Sequence, residues 1–192
     1  MGRWGLPESD AVVMRALLRV SGAIDGVNER FGRIADWCVV LACLISAGNA
    51  LVRYGFSFSS NAWLEIQWYL FAAMFMLGAP YTLRRNEHVR VDVIYGNLSP
   101  RLRLWVDLLG GILFLMPAVL IIGWMSWPLF YDSWQSGEVS SNAGGLIRWP
   151  VKLLLPLGFG LLALQGLSEI IKRIAALRGY EGVVAEYEKP LQ

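Results

Sequence analysis

The sequence predicts an all-α integral membrane protein: four transmembrane helices behind an amphipathic interfacial helix, with both termini cytoplasmic. The prediction rests on apolar content, charge segregation and run length. Of 192 residues, 56% are hydrophobic, mean hydropathy is +0.47 and nine residues are tryptophan. The charges cluster, leaving long stretches that hold almost none. Four of these stretches reach the roughly 20 residues that cross a hydrocarbon core of about 30 Å. A soluble chain of this length would have too little polar sequence to cover them. The net charge of +2 is small and excludes a general polyanion binder.

The first element is expected within a cytoplasmic segment over 1–33. Val13, Leu17, Val20, Ile24, Val27, Phe31 and Ile34 recur at alternating spacings of four and three, which is one face of a helix. The segment lacks the uninterrupted apolar run of a signal peptide, and Gly22 and Gly26 weaken a coiled coil. With Arg15 and Arg19 alongside, it reads as a helix lying on the cytoplasmic membrane surface.

A membrane domain follows over 34–171, with spans at about 34–52, 63–83, 104–131 and 149–171, and then a cytoplasmic tail over 172–192. The third span is longer than a bilayer needs and should tilt or project. Prolines at 80, 117, 128 and 156 fall within spans, where membrane helices tolerate them. Trp37 and Trp105 mark inner ends, while Trp63, Trp127, Trp134 and Trp149 mark outer ends, at headgroup depth. Trp68 and Trp124 lie deeper and are expected to pack between helices.

Orientation comes from lysine and arginine. Arg3, Arg15, Arg19, Arg30 and Arg33 precede the first span, and only Arg53 separates the first from the second. Arg84, Arg85, Arg90, Arg101 and Arg103 fill the next linker. Arg148 and Lys152 flank the third connection, and Lys172, Arg173, Arg178 and Lys189 follow the fourth span. This alternation places both termini and the arginine-rich linker in the cytoplasm. Membrane phospholipids with anionic headgroups are the small partners that such a linker attracts. Without interleaved aromatic residues, the same arginines do not suit a nucleic acid.

Catalytic chemistry is sparse. Cys38 and Cys43 sit on one helix, beyond disulfide reach of each other, and read as small packing residues. His88 is the only histidine and has no second ligand or nucleophile beside it. No phosphate or dinucleotide fingerprint occurs, so neither an enzyme nor a cofactor is expected. Asp36, Asp107 and Glu169 fall near inner ends of spans, and Glu65 and Lys152 near outer ends. The middle of every span is uncharged, unlike the ion paths of self-sufficient transporters. Ala42, Ser46 and Ala50, Gly158 and Gly160, and Gly110 and Gly111 supply small residues for close helix packing. Gly144–Leu146 reads as a flexible loop.

The stretch NEHVRVDVIYGNLSPRLRLWVDLLGGILF resembles the small membrane subunit (DctQ-type) of tripartite ATP-independent periplasmic, or TRAP, transporters. The matching residues are His88, Val89, Arg90, Val91 and Asp92, then Leu98, Ser99, Pro100 and Arg101 before a long third span. WPVKLLLPLGFGLLALQGLSEII is similar to that family's last helix. The resemblance covers about 34–171. It implies a scaffold subunit of the bacterial inner membrane, paired with a large multi-span TRAP membrane subunit. That larger subunit carries organic acids or related solutes, delivered by a periplasmic solute-binding protein, with sodium.

On this reading Arg84, Arg85, His88, Arg90, Asp92 and Arg101 are candidate lipid or partner contacts at the cytoplasmic surface. Glu138 and Arg148 are candidate docking residues in the outer loop 135–148. The alternative function is a self-contained, homo-oligomeric four-helix transporter or channel.

Overall fold

The computed structural model describes residues 8–58, 60–86, 95–180 and 182–184. Helix α1 runs Glu8–Phe56 and α2 runs Asn61–Arg85. The third span is α3 (Pro100–Gly110), a π turn (Gly111–Leu115) and α4 (Met116–Gln135) in one continuous run; α5 is Trp149–Leu177. Among the described residues four helices are therefore long and apolar enough to cross a membrane. His88, Arg90 and Asp92 lie outside the described residues.

Among the described residues no separate helix precedes the first span. Glu8–Phe56 is a single 49-residue helix, about 73 Å long at about 1.5 Å per residue. Its buried face differs from the apolar stripe expected over 13–34. Met14, Ser21, Asn28, Ala35, Ala42 and Asn49 are buried at a strict seven-residue repeat, whereas Val13, Leu17, Val20, Val27 and Ile34 are exposed. A repeat of seven holds one seam facing a partner helix over many turns. The small and amide side chains on that seam let α1 lie close to its neighbours.

Those neighbours are α2 and α5. α5 is the hub of the molecule: α1, α2, α3, the π turn and α4 all pack on it. Ala35, Leu77 and Leu161, from α1, α2 and α5, form the apolar centre. The third span leans on α5 and makes at most marginal contact with α1 and α2.

Local chemistry accounts for the ends and irregularities. Ser99 caps α3, its Oγ accepting from the Leu102 amide at 3.4 Å, and Pro100 occupies the first turn, where its missing N–H costs nothing. α2 stops at Asn86, whose left-handed conformation (φ 60°) aims its N–H at the Leu83 and Thr82 carbonyls. In the π turn the Met116 amide reaches back five residues to the Gly111 carbonyl, just before Pro117. A widened turn absorbs the hydrogen bond that proline cannot make.

The expected packing stripes divide in the structure. Ala42 is buried, but Ser46 and Ala50 are exposed, because a spacing of four advances about 40° per step on a helix of about 3.6 residues per turn. A Cβ on Gly158 would lie 2.8 Å from the Met76 Cβ and carbonyl oxygen, whereas one on Gly160 would meet nothing within 4 Å. Gly111 abuts Ile170 and Gly110 is open. Trp68 and Trp124 point outward, 74% and 82% exposed, and are not packed between helices.

Candidate functional site: a polar clasp and a clamped loop

A polar cluster joins the predicted inner ends of the helices. On the α1 seam, the Asn28 amide donates to Gln165 Oε1 at 2.7 Å. Gln165, fully buried, donates from Nε2 to Asp25 Oδ1 (3.0 Å) and Glu169 Oε1 (3.1 Å). Ser168 Oγ lies 2.8 Å from Asp25 Oδ1 and 2.7 Å from Ser21 Oγ. A hydroxyl has one hydrogen to give, so when Ser168 donates to Asp25, Ser21 donates to Ser168.

Charges extend the cluster outward. Lys172 Nζ bridges Asp25 Oδ2 (2.7 Å) and Glu169 Oε1 (2.8 Å). Arg173 pairs with Glu169 and, at 3.6 Å, with Asp107 of α3. Tyr95 donates to the same Asp107 carboxylate at 3.0 Å. Arg84 at the end of α2 pairs with Glu29 and sits 3.8 Å from Asp25, and Arg33 sits 3.8 Å from Glu29. Four carboxylates (Asp25, Glu29, Asp107, Glu169) thus meet four cations (Arg33, Arg84, Lys172, Arg173). Buried charges are tolerable only when paired and hydrogen-bonded in this way.

The clasp changes what several candidate contacts can do. Arg84 is engaged by α1 through Glu29 and Asp25. The Arg85 guanidinium stacks on the Tyr81 ring at 5.3 Å and donates to its hydroxyl at 3.1 Å. Arg101 is exposed. Arg103 donates to the Tyr95 and Gly96 carbonyls at 3.1 and 2.8 Å, tying the end of the linker to α3. Among the described residues no three His, Cys, Asp or Glu side chains gather as metal ligands.

At the other end, the loop after α4 closes on itself. The Ser140 amide donates to the Leu146 carbonyl and the Arg148 amide to the Glu138 carbonyl, each at 2.9 Å, and Val139 bridges Ile147. Gly144 turns the chain at φ 69°, a conformation that costs glycine little. The stretch expected to be merely flexible is therefore a hydrogen-bonded turn. Glu65 of α2 clamps it, accepting from Leu146 N and Asn142 Nδ2 (both 2.7 Å) and from Ser140 Oγ. Tyr69 donates to the Ile147 carbonyl at 3.2 Å.

The loop's own charges are also spent internally. Glu138 pairs with Lys152 and, at 3.5 Å, with Arg148. The Lys152 ammonium is the main reason that the Glu138 carboxyl lies below its ordinary value of 4.5. Glu138 and Arg148 hold the loop's shape, while its exposed tip is Ser141, Asn142, Ala143 and Gly144.

The clasp and the clamp lie at the two ends of the predicted spans, whose sequence midpoints are uncharged. Residues 42–176 match the family model described as Tripartite ATP-independent periplasmic transporters, DctQ component. The chain belongs to this family. The match runs from the middle of α1 to the last turn of α5, taking in three complete helices and the clamped loop. Comparison with curated proteins and with solved structures gives no match. The DctQ component is the small component of a TRAP transporter, a transport protein and not an enzyme. With four apolar helices of spanning length it is a multi-pass membrane protein.

Proposed function

We propose that this chain is the scaffold subunit of a sodium-coupled, binding-protein-dependent transporter for organic acids or related solutes. It pairs with a large multi-span subunit in the bacterial inner membrane, with both its termini in the cytoplasm. The observation that carries the proposal is the DctQ match, over helices that hold no ionisable residue at mid-span. Solute and ion are thus left to the partner. The clasp supports the assignment, since charge complementarity that ties four helices together on one side of the bundle suits a stationary part.

The exposed stripe Val13, Leu17, Val20, Val27 and Ile34, with Arg15 and Arg19 beside it, continues the helix of the first span on the cytoplasmic side, where anionic headgroups or the partner meet it. Arg101 is the exposed linker arginine that meets lipid or partner; His88, Arg90 and Asp92, in the same linker by sequence, are contacts of the same kind. On the outer face, a periplasmic solute-binding protein docks on the loop tip at Ser141–Gly144, with Glu138 and Arg148 shaping the loop behind it.

The test is affinity purification of the tagged chain from native membranes in mild detergent. A large multi-span protein recovered in near-equal amount supports the reading. Recovery of the chain alone, as a defined homo-oligomer, overturns it.

A further inference from the structure

Because the third span leans on α5 alone, a wedge-shaped groove of about 1000 Å³ opens between it and the α1–α2 pair, along the predicted inner half of the bundle. Its walls are apolar, from Val39, Met74, Phe75 and Leu115. Gly110 on the third-span wall has no neighbour within 4 Å of where a Cβ would stand. Three carboxylates, of Asp36, Asp107 and Glu169, also line the groove. Arg173 holds the latter two. Asp36 is exposed and makes no ion pair among the described residues.

We propose that this groove seats a membrane-spanning helix of the larger transport subunit, carrying an arginine or lysine that pairs with Asp36. The proposal rests on the functional reading above. An ionised carboxylate at the edge of an apolar membrane groove is costly until a cation meets it, which sets the partner's charge. A wall lacking a Cβ sets the partner's shape, because glycine lets another backbone come closer than any side chain would. A lipid acyl chain gains nothing from that approach. A helix about 10 Å across laid in the wedge would touch α2 and the third span together, and so close a bundle that is open on this side.

The experiment repeats the purification with the full chain carrying Gly110→Phe, Asp36→Asn or Asp36→Glu. Gly160→Phe, which fills the separate groove on the other face of α5, serves as control. Gly110→Phe should cut recovery of the large subunit at least tenfold and Asp36→Asn severalfold. Asp36→Glu and Gly160→Phe should match wild type. Since space is open at Gly110, the isolated variant should keep its elution volume and Tm. Should it not, a photoreactive benzophenone residue at Val39 in the intact complex decides, by whether its adduct carries the large subunit.

Wild-type recovery with both Gly110→Phe and Asp36→Asn overturns the proposal while leaving the functional reading intact. So does a benzophenone adduct on phospholipid alone, which makes the groove a lipid site. If the wild-type chain itself recovers no large subunit, the functional reading falls and the proposal with it.

Discussion

Gly158 and Gly160 stand two residues apart on α5, and the structure gives them opposite surroundings. A side chain at 158 must displace the Met76 backbone, whereas one at 160 enters open space. Gly158→Leu should therefore destabilise the detergent-solubilised protein by about 1–3 kcal/mol, the usual cost of overpacking. Gly160→Ala should stay within about 0.5 kcal/mol. Thermal melts followed by tryptophan fluorescence would show the contrast, and equal losses would contradict the packing described. Residue type alone signals close packing at both positions. Only their separation of about 200° around the helix reveals that they cannot share a face. The same geometry splits Ala42 from Ser46 and Ala50.

Among the elements, the clasp makes the sharpest prediction. The Arg173 side chain is 8% exposed and answers both Glu169 and Asp107, whereas Arg33 is 72% exposed and answers Glu29 alone. Arg173→Ala takes the guanidinium from both carboxylates, of which Glu169 keeps Lys172 and Asp107 keeps Tyr95, and should cost about 3 kcal/mol, the lower end for breaking a buried pair. Arg33→Ala should cost less than about 1 kcal/mol. Chemical denaturation of the two variants checks the ranking. At the clamped loop, Glu65→Gln weakens a charged acceptor of three hydrogen bonds. Exchange of the Leu146 amide should quicken roughly tenfold, the order expected for a hydrogen bond to a charged group.

The loop also carries a pH signature. The folded Glu138 carboxyl sits below its ordinary value of 4.5, chiefly through Lys152. Its stabilisation is thus fully present above pH 4.5 and fades as pH falls through the lower folded value. Hydrogen-exchange protection of the Arg148 amide should hold from pH 7 to 5 and decline below pH 4.5. Loss between pH 7 and 5 would contradict this assignment.

These joints were only partly legible in sequence. Ser99-Pro100 reads directly as a helix start, because cap and proline act locally. The Ser21 and Asn28 seam was hidden by a stronger apolar stripe at neighbouring positions. Apolar periodicity marks a packing face in water, but in a membrane the apolar side chains can face lipid and polar ones turn inward. Repeats of seven carrying serine and asparagine were the available signal. Glu65 could not be matched to its loop, since nothing local links it to partners some 80 positions away.

At the scale of the whole molecule, four spans and their order were readable from hydropathy, and the basic linker gave the expected orientation. Which helix forms the hub was not, because the hub span is neither the most nor the least apolar of the four. α5 gains that place through Gly158, which admits α2, and through the polar residues that meet α1 and α3 at its end. The described helices are braced at both ends and the predicted spans carry no ionisable residue at their sequence midpoints, which favours the proposed scaffold over a pathway.

The most direct test of that conclusion is ion flux into sealed vesicles reconstituted with this chain alone, using sodium and chloride gradients and a potential-sensitive dye. The scaffold account predicts flux no greater than in empty vesicles at every protein-to-lipid ratio. Sodium or chloride flux that rises with the amount of protein reconstituted would contradict it, and would make a homo-oligomeric channel the correct reading.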